Sequence, residues 1–213
     1  MKAIKIPKLA SLDVLDLSSV SHILETKAHR EYIDVVNWPD YPYKPIVAVN
    51  IARSNENLYL GYFVRENSLK ATYSKDSSPV HKDSCVEFFM KRCESPVYIN
   101  FEFNCIGTCD ASYRESREKK TPLTQDAYAA IRRYSSLPFQ TFEEKTGIYS
   151  WELLVSIPLT LMGLNPKRLP EKILANFYKC ADETSSPHFL SWNPIGLPQP
   201  DFHCPQFFGE LYF

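Results

Sequence analysis

The sequence has 213 residues, of which 44% are hydrophobic and 23% are charged. This balance argues against intrinsic disorder and favours a single domain spanning 1–213. The 24 basic residues are offset by 25 acidic ones, so the basic excess with which nucleic-acid-binding proteins neutralise phosphates is missing. No signal-peptide core and no apolar run of about 18 residues occurs, so we expect no membrane segment and a cytoplasmic protein, or a periplasmic or secreted one if a leader was removed.

The first forty residues predict a short helix and an extended segment, packed together on the rest of the domain. Residues 18–27 have a helical apolar spacing, and Ser18 or Ser19 is the expected N-cap. The segment 37–45 contains three prolines. Because proline fixes φ and removes a hydrogen-bond donor, this segment is predicted to be extended.

From residue 46 the hydrophobic pattern changes to a period of two, which is typical of β-strands. The candidate strands are 46–52, 57–65, 69–73, 84–91, 97–105, 108–114, 127–134, 148–157, 173–180, 189–192 and 207–213. One helical turn is expected at 158–162, where proline can occupy the first helical position. Short strands at regular spacing predict an all-β fold, namely an antiparallel β-sandwich of about 10–11 strands with a short N-terminal helix.

Two neighbouring candidate strands predict which side chains share a polar face. Side chains alternate along a strand, and in 98–105 the apolar residues occupy the odd positions. The opposite phase of this strand, and the matching phase of 84–91, carries Glu87, Asn100, Glu102 and Asn104. Contact with water would explain such a face. Because asparagine is disfavoured inside strands, we prefer the interpretation that the face binds a ligand.

These residue types suit a sugar. Hydroxyl groups both donate and accept hydrogen bonds, which carboxylates and amides match in pairs. The C–H faces of a sugar ring stack on aromatic side chains, and aromatic residues make up 14% of the chain. The sequence therefore predicts an oligo- or monosaccharide ligand over a polar sheet face.

Three segments resemble carbohydrate-binding module family 9 and its relatives with a DOMON-like β-sandwich. They are 81–89, 98–107 and 192–213, and they include the motifs D-S-x-V-E and P-x-x-F-G-x-L. The resemblance covers 40–213 and implies a non-catalytic module that binds the end of a saccharide between two aromatic side chains. It implies no cofactor, apart from the structural calcium that some family members hold and for which no site or metal ligand is predicted in this chain. Modules of this kind can associate with a separate enzyme.

The resemblance also implies individual site residues. Glu87 matches the sugar-binding glutamate of the family, and Asn104 matches a binding asparagine. The two aromatic walls, usually tryptophans, correspond to His81 and Phe202, and Glu102 replaces an arginine. With Asn100 from the polar face and His203 beside the second wall, the candidate ligand-binding residues are His81, Glu87, Asn100, Glu102, Asn104, Phe202 and His203.

Three other functions are alternatives to saccharide binding. A glycoside hydrolase would use Glu87 and Glu102 as its acid and base, but no nucleophile elbow or catalytic metal motif accompanies them, so we expect no enzyme. A haem-binding module would need Met90 as an axial ligand, and Met90 shares the core phase. Binding of another protein through the flat sheet face is the remaining alternative.

Two groups of residues are interpreted as structural. The six cysteines lack C-x-x-C spacing and are expected to be reduced. The missing C-x-x-C spacing also argues against a zinc site. The residue types that could bind zinc are present at His81, Cys85, Cys105, Cys109, His203 and Cys204. The basic residues Arg114, Arg117, Lys119 and Lys120 are interleaved with acidic ones and are interpreted as a solvated loop.

Overall fold

Two β-sheets packed face to face make up the protein, which a computed structural model describes over residues 1–213. The strands are β1 (Ala3–Lys5), β2 (His29–Tyr32), β3 (Val35–Val36), β4 (Ile46–Arg53), β5 (Asn57–Ala71), β6 (Cys85–Lys91), β7 (Tyr98–Asn104), β8 (Cys109–Arg114), β9 (Lys120–Pro122), β10 (Arg132–Ser135), β11 (Phe142–Pro158), β12 (Lys172–Cys180), β13 (Phe189–Ser191) and β14 (Gly209–Tyr212). The helices are α1 (Leu17–Lys27) and α2 (Gln125–Ala130), with 3-10 turns at Ala10–Val14, Val80–Lys82, Leu159–Met162 and Pro205–Phe207. The predicted sandwich with an N-terminal helix is confirmed, with 14 strands instead of about 10–11.

The larger sheet positions the candidate site. Its nine strands follow the path β1-β14-β12-β6-β7-β8-β9, with β13 paired to β12 and β3 paired to β13. The smaller sheet has five strands in the order β10-β11-β5-β4-β2. All pairs of strands are antiparallel except β1 with β14. The strands β12, β6, β7 and β8 therefore lie side by side in the middle of the larger sheet.

Alternate side chains of the central strands build the core between the sheets. Those contributed by β6 and β7 are Val86, Phe88, Met90, Ile99, Phe101 and Phe103. None of them is more than 2% exposed, so each contributes roughly 1.5–3 kcal/mol by burial. The prediction that these side chains of the two strands face the core is confirmed. The alternate side chains of the same strands point to the opposite face of the sheet.

One charged pair lies inside the sandwich and joins the two sheets. Lys179 of β12 places Nζ 2.8 Å from Oε2 of Glu66 on β5, and both side chains are at most 1% exposed. Trp151 Nε1 donates a hydrogen bond to Glu66 Oε1 at 2.6 Å, and Lys179 Nζ also donates to the carbonyl of Cys180 at 2.8 Å. Charges can remain in such a dry interior only when they are paired and hydrogen-bonded.

Residues 1–40, predicted as a helical and extended segment packed on the domain, also contribute strands to both sheets. The strand β1 joins the larger sheet, and β2 joins the smaller one. Asp16, and not Ser18 or Ser19, caps α1, since its side chain accepts a hydrogen bond from the backbone N–H of Ser19 at 2.7 Å. Neither helix is long and apolar enough to cross a membrane.

Two stretches predicted as strands have a different structure. The segment 127–134 begins inside α2, because Thr124 accepts a hydrogen bond from the N–H of Ala127 and so starts a helix. Only its last residues belong to β10. The separate strands predicted at 57–65 and 69–73 are one continuous strand, β5.

Candidate functional site

The outward face of the larger sheet is covered and does not lie open to solvent. Loops and the C-terminal segment cover it with a second apolar cluster, which consists of Trp38, Val80, Cys85, Phe89, Tyr98, Tyr178, Cys180, Ile195, Phe202, Cys204 and Phe208. Beside this cluster lies a cavity of about 330 Å³, and only three of its 16 lining residues are hydrophobic. This sheet-face cavity is lined by His81, Glu87, Glu102, Asp110, Arg114, Asp182, Phe189, Phe202 and His203, among others.

Two carboxyl groups form the floor of the sheet-face cavity. Glu87 of β6 and Glu102 of β7 are direct cross-strand neighbours, and they are 2% and 4% exposed. Burial and the neighbouring Glu102 charge raise the pKa of Glu87 well above its usual range. Burial also opposes the ionisation of Glu102, but its hydrogen bond and ion pair with His81 lower the pKa of Glu102 below its usual value. These shifts favour the protonated form of Glu87 and the ionised form of Glu102.

Glu102 is held by a chain of polar side chains. Its Oε2 lies 3.6 Å from His81 Nδ1, and its Oε1 accepts a hydrogen bond from Asn100 Nδ2 at 2.9 Å. The Asn100 Oδ1 atom in turn accepts from Arg114 Nε at 2.6 Å. The hydrogen bond with Glu102 raises the pKa of His81, which favours its cationic form. His81 lines the cavity, whereas Asn100 is fully buried and orients Glu102.

Glu87 has no strong hydrogen-bond donor. Its Oε1 lies 3.2 Å from Cys180 Sγ and 3.9 Å from Cys85 Sγ, and thiols are weak donors. Its Oε2 is buried and has no hydrogen-bond partner. The Oδ1 of Asp182, which lines the same cavity, is also buried without a partner. Unpaired buried oxygens are costly, so this cavity has two groups that a polar ligand would satisfy.

Phe202 and His203 line the cavity, but the larger part of each side chain is used for packing. Phe202 is only 8% exposed, and its ring stacks on Tyr178 with centroids 4.1 Å apart and planes 5° apart. His203 Nδ1 lies 3.0 Å from the Tyr98 hydroxyl, and its ring packs 5.1 Å from that of Phe89. Burial and the nearby Arg114 charge lower the pKa of His203 to about 4, so this ring is neutral.

Asn104 lies outside the sheet-face cavity, contrary to the expectation that it faces a ligand. Its Nδ2 donates to the carbonyl of Tyr73 at 2.7 Å and to Asp83 Oδ2 at 3.0 Å. Its Oδ1 accepts from the N–H of Thr108 at 2.9 Å. These bonds occupy the fully buried amide and stabilise the turn after β7. The structure therefore brings five of the seven candidate residues to the cavity: His81, Glu87, Glu102, Phe202 and His203.

Sequence reasoning missed several residues of the cavity on β8 and the following loop. Asp110 stands directly opposite Glu102, and Arg114 directly opposite Tyr98, so both share the polar phase of β7. Arg114 is 5% exposed, which corrects its interpretation as part of a solvated loop. Applying the period of two to the predicted strand 108–114 would have placed both side chains on this face.

Only one group of three His, Cys, Asp or Glu side chains is close enough to share a metal ion. It consists of Cys85, Glu87 and Cys180. Calcium prefers six to eight oxygen ligands, which this group does not offer, so the calcium implied by the family resemblance stays a prediction. The zinc site considered from the sequence does not form, because its cysteines lie in two different clusters. Cys105 and Cys109 belong to the core between the sheets, whereas Cys85 and Cys204 belong to the cluster on the outward face.

Comparison with solved structures identifies proteins of the same architecture. The crystal structure of a candidate carbohydrate-binding protein from Bacteroides uniformis superposes with a TM-score of 0.92 and 38% identity, over 100% of this chain and 99% of that one. A family 9 carbohydrate-binding module from Caldicellulosiruptor kristjanssonii in complex with glucose gives a TM-score of 0.63 at 12% identity, over 99% and 95% of the two chains. The module from the same organism in complex with cellotriose gives a TM-score of 0.58 at 10% identity, over 99% and 93%.

Comparison with protein families gives the same result at the level of sequence. No curated protein matches the chain. The family model described as carbohydrate-binding family 9 matches residues 18–213. This confirms the resemblance seen in the D-S-x-V-E and P-x-x-F-G-x-L motifs. The chain belongs to carbohydrate-binding family 9.

Proposed function

We propose that the protein is a non-catalytic module that holds a saccharide end in the sheet-face cavity. The observation that carries the proposal is that Glu87 and Asp182, each with a buried carboxyl oxygen that has no hydrogen-bond partner, belong to the lining of one polar cavity. Hydroxyl groups of a sugar both donate and accept hydrogen bonds, so they can satisfy a buried carboxyl in either protonation state. A purely apolar ligand would leave both oxygens unpaired.

The split protonation of the two floor carboxyls gives them different roles. The proton on Glu87 makes this residue a hydrogen-bond donor, while ionised Glu102 accepts. His81 lies beside Glu102 and is favoured in its cationic form, so it adds a donor at the same end of the cavity. A hydroxyl pair lying across β6 and β7 would therefore meet a donor and an acceptor side by side.

The size and the lining of the cavity support a monosaccharide or the end of a short oligosaccharide. A volume of about 330 Å³ is at the small end of typical ligand pockets. The modules of the same fold from Caldicellulosiruptor kristjanssonii are in complex with glucose and cellotriose. Phe189 and Phe202 line the cavity, so theirs are the aromatic rings that the C–H groups of a sugar would meet there.

Hydrolysis of the saccharide is the competing function, because one protonated and one ionised carboxyl are also what a glycoside hydrolase needs. In hydrolases the two carboxyls flank the scissile bond, one on each side of it. Here Glu87 and Glu102 are neighbours on the same floor, and the hydrogen bond from Asn100 and the ion pair with His81 keep Glu102 in place. This geometry favours binding without cleavage.

Isothermal titration calorimetry with glucose, cellotriose and a panel of oligosaccharides tests the proposal. We expect binding by the wild-type protein and a loss of about 2- to 12-fold in Glu87→Ala, the effect of one lost neutral hydrogen bond of about 0.5–1.5 kcal/mol. The Tm of unliganded Glu87→Ala should change little, because the carboxyl has no strong partner in the folded protein. The matched control is Glu143→Ala, which removes an exposed carboxyl on β11.

Three results would refute the proposal. One is the absence of binding to every saccharide of the panel, and another is unaltered binding by Glu87→Ala together with a large loss of stability. The third is the appearance of shortened oligosaccharides after incubation with the wild-type protein, since this would show that the carboxyl pair is catalytic.

A further inference from the structure

We infer that Cys85, Glu87 and Cys180 form a binding site for a thiophilic divalent cation such as Zn²⁺ on the floor of the sheet-face cavity. Cys85 on β6 and Cys180 on β12 are direct cross-strand partners. Glu87 follows Cys85 by two residues and so emerges on the same face of the sheet. One ligand atom from each of these three buried side chains lies within 4.8 Å of the others.

The distances are close to those of a tetrahedral site. Zinc binds sulfur at about 2.3 Å and carboxylate oxygen at about 2.0–2.2 Å, so tetrahedral ligand atoms lie about 3.5–3.8 Å apart. Glu87 Oε1 lies 3.2 Å from Cys180 Sγ and 3.9 Å from Cys85 Sγ. Small rotations of the three side chains would equalise these distances, without movement of the strands that hold them.

The unsatisfied carboxyl of Glu87 is the independent evidence for a ligand at this place. Glu87 is only 2% exposed, its Oε2 has no hydrogen-bond partner, and its Oε1 contacts only thiols. A cation coordinated by this carboxylate would replace the two weak S–H contacts, and Glu87 would then no longer donate a hydrogen bond to a saccharide. Glu87 and Cys180 also belong to the lining of the sheet-face cavity, from which a water molecule could supply the fourth ligand.

The donor set selects the class of metal. Two thiolates favour soft or borderline ions such as Zn²⁺ and disfavour the hard ions Ca²⁺ and Mg²⁺, which prefer oxygen. Binding transfers the two thiol protons and the Glu87 proton to solvent, and the metal then accepts an electron pair from each ligand. No atom changes its oxidation state. Since protons are released, the affinity for the metal must rise with pH.

Titration of the reduced, metal-free protein with Co²⁺ tests the inference without any saccharide. We expect one Co²⁺ per chain, with a sulfur-to-cobalt charge-transfer band and the visible d–d bands of a tetrahedral site, and displacement of the cobalt by one equivalent of Zn²⁺. Replacing a residue that only supports a metal ligand lowers metal affinity by roughly 10- to 100-fold. Because Cys180 would be a ligand itself, Cys180→Ser should lower the affinity for Co²⁺ by more than this. Cys93→Ser is the control, because Cys93 is exposed and lies outside the group.

A second variant and a thermal measurement protect the test against misfolding of the cysteine variants. Glu87→Gln keeps the size of the side chain, and we expect it to abolish the rise in Tm that Zn²⁺ gives the wild-type protein. Three outcomes overturn the inference: no charge-transfer band, a band of unchanged intensity in Cys180→Ser, or a Cys85–Cys180 disulfide in the protein as purified. Absence of saccharide binding by a wild-type protein that gives the expected cobalt spectra would refute only the proposed function.

Discussion

Removing the carboxylate of the ion pair inside the sandwich is expected to be strongly destabilising. In Glu66→Ala the Nζ of Lys179, which is completely buried, would keep only the carbonyl of Cys180 as a partner. The Nε1 of Trp151 would lose its acceptor as well. Leaving one buried charge unpaired costs about 3–5 kcal/mol. For a chain of this length that corresponds to a decrease in Tm of roughly 6–20 °C.

Urea denaturation of Glu66→Ala at pH 7, followed by tryptophan fluorescence, measures this loss. The double variant Glu66→Met with Lys179→Met removes both charges and should recover most of the stability, since apolar replacements of buried ion pairs are often neutral. The unpaired Trp151 N–H would limit the recovery by about 1–3 kcal/mol. The exposed control Glu143→Ala should stay within about 0.5 kcal/mol of the wild type.

The outcome that would contradict this reasoning is a loss below about 1 kcal/mol in Glu66→Ala. It would mean that Lys179 reaches solvent or another anion in the native state, and that the pair does not join the two sheets. A double variant less stable than the single one would refute the argument in a different way, because it would show that the charges themselves stabilise the fold.

Two further predictions concern the protonation of His203 and the hydrogen bonds of Asn104. The pKa of His203 is about 4 in the folded chain and 6.5 as its reference value, so the unfolded chain binds the proton first and stability should fall by up to about 3 kcal/mol between pH 6.5 and pH 4. Urea denaturation at both pH values should show this slope in the wild type and a smaller one in His203→Gln, and equal slopes would exclude a buried neutral ring. Asn104→Ala should cost about 1–3 kcal/mol by leaving Asp83 and Thr108 with unmet hydrogen bonds. Its saccharide affinity in calorimetry should equal that of the wild type, whereas a loss like that of Glu87→Ala would return Asn104 to the site.

The faces of β6 and β7 were predictable because alternation along a strand depends only on local geometry. Apolar residues at odd positions of 98–105 had to share one side, and Phe101 and Phe103 do lie in the core. The same local rule placed Glu87 and Glu102 together on the other side. Strand pairing then made them neighbours, as the short connection between the two strands indicated.

What covers this face could not be predicted, because it depends on contacts between distant parts of the chain. Trp38 from the N-terminal third donates a hydrogen bond through Nε1 to the carbonyl of Leu197 at 2.9 Å. Phe202 from the C-terminal segment stacks on Tyr178 of β12. Neither contact follows from a local pattern. These covering segments enclose the polar face of the sheet in a cavity.

Asn104 and Lys179 show two different limits of pattern reading. The alternation puts Asn104 in the correct phase, but at the end of β7 its amide meets the adjacent turn before it can reach the cavity. Lys179 occupies the core phase of β12, where a charge is unexpected, and only Glu66 from the other sheet makes it tolerable. The sequence of a single strand cannot reveal such a partner.

The position of Phe213 has a practical consequence for any experiment that immobilises the chain described by this sequence. The backbone N–H of Phe213 bonds to the carbonyl of Glu171, just before β12 begins. Cys180, at the other end of β12, borders the cavity, and the eight-residue rise between the two ends of this strand is about 26 Å. A sensor chip, an affinity tag or a fluorescent fusion attached after Phe213 would therefore leave the mouth of the cavity accessible to polymeric glycans.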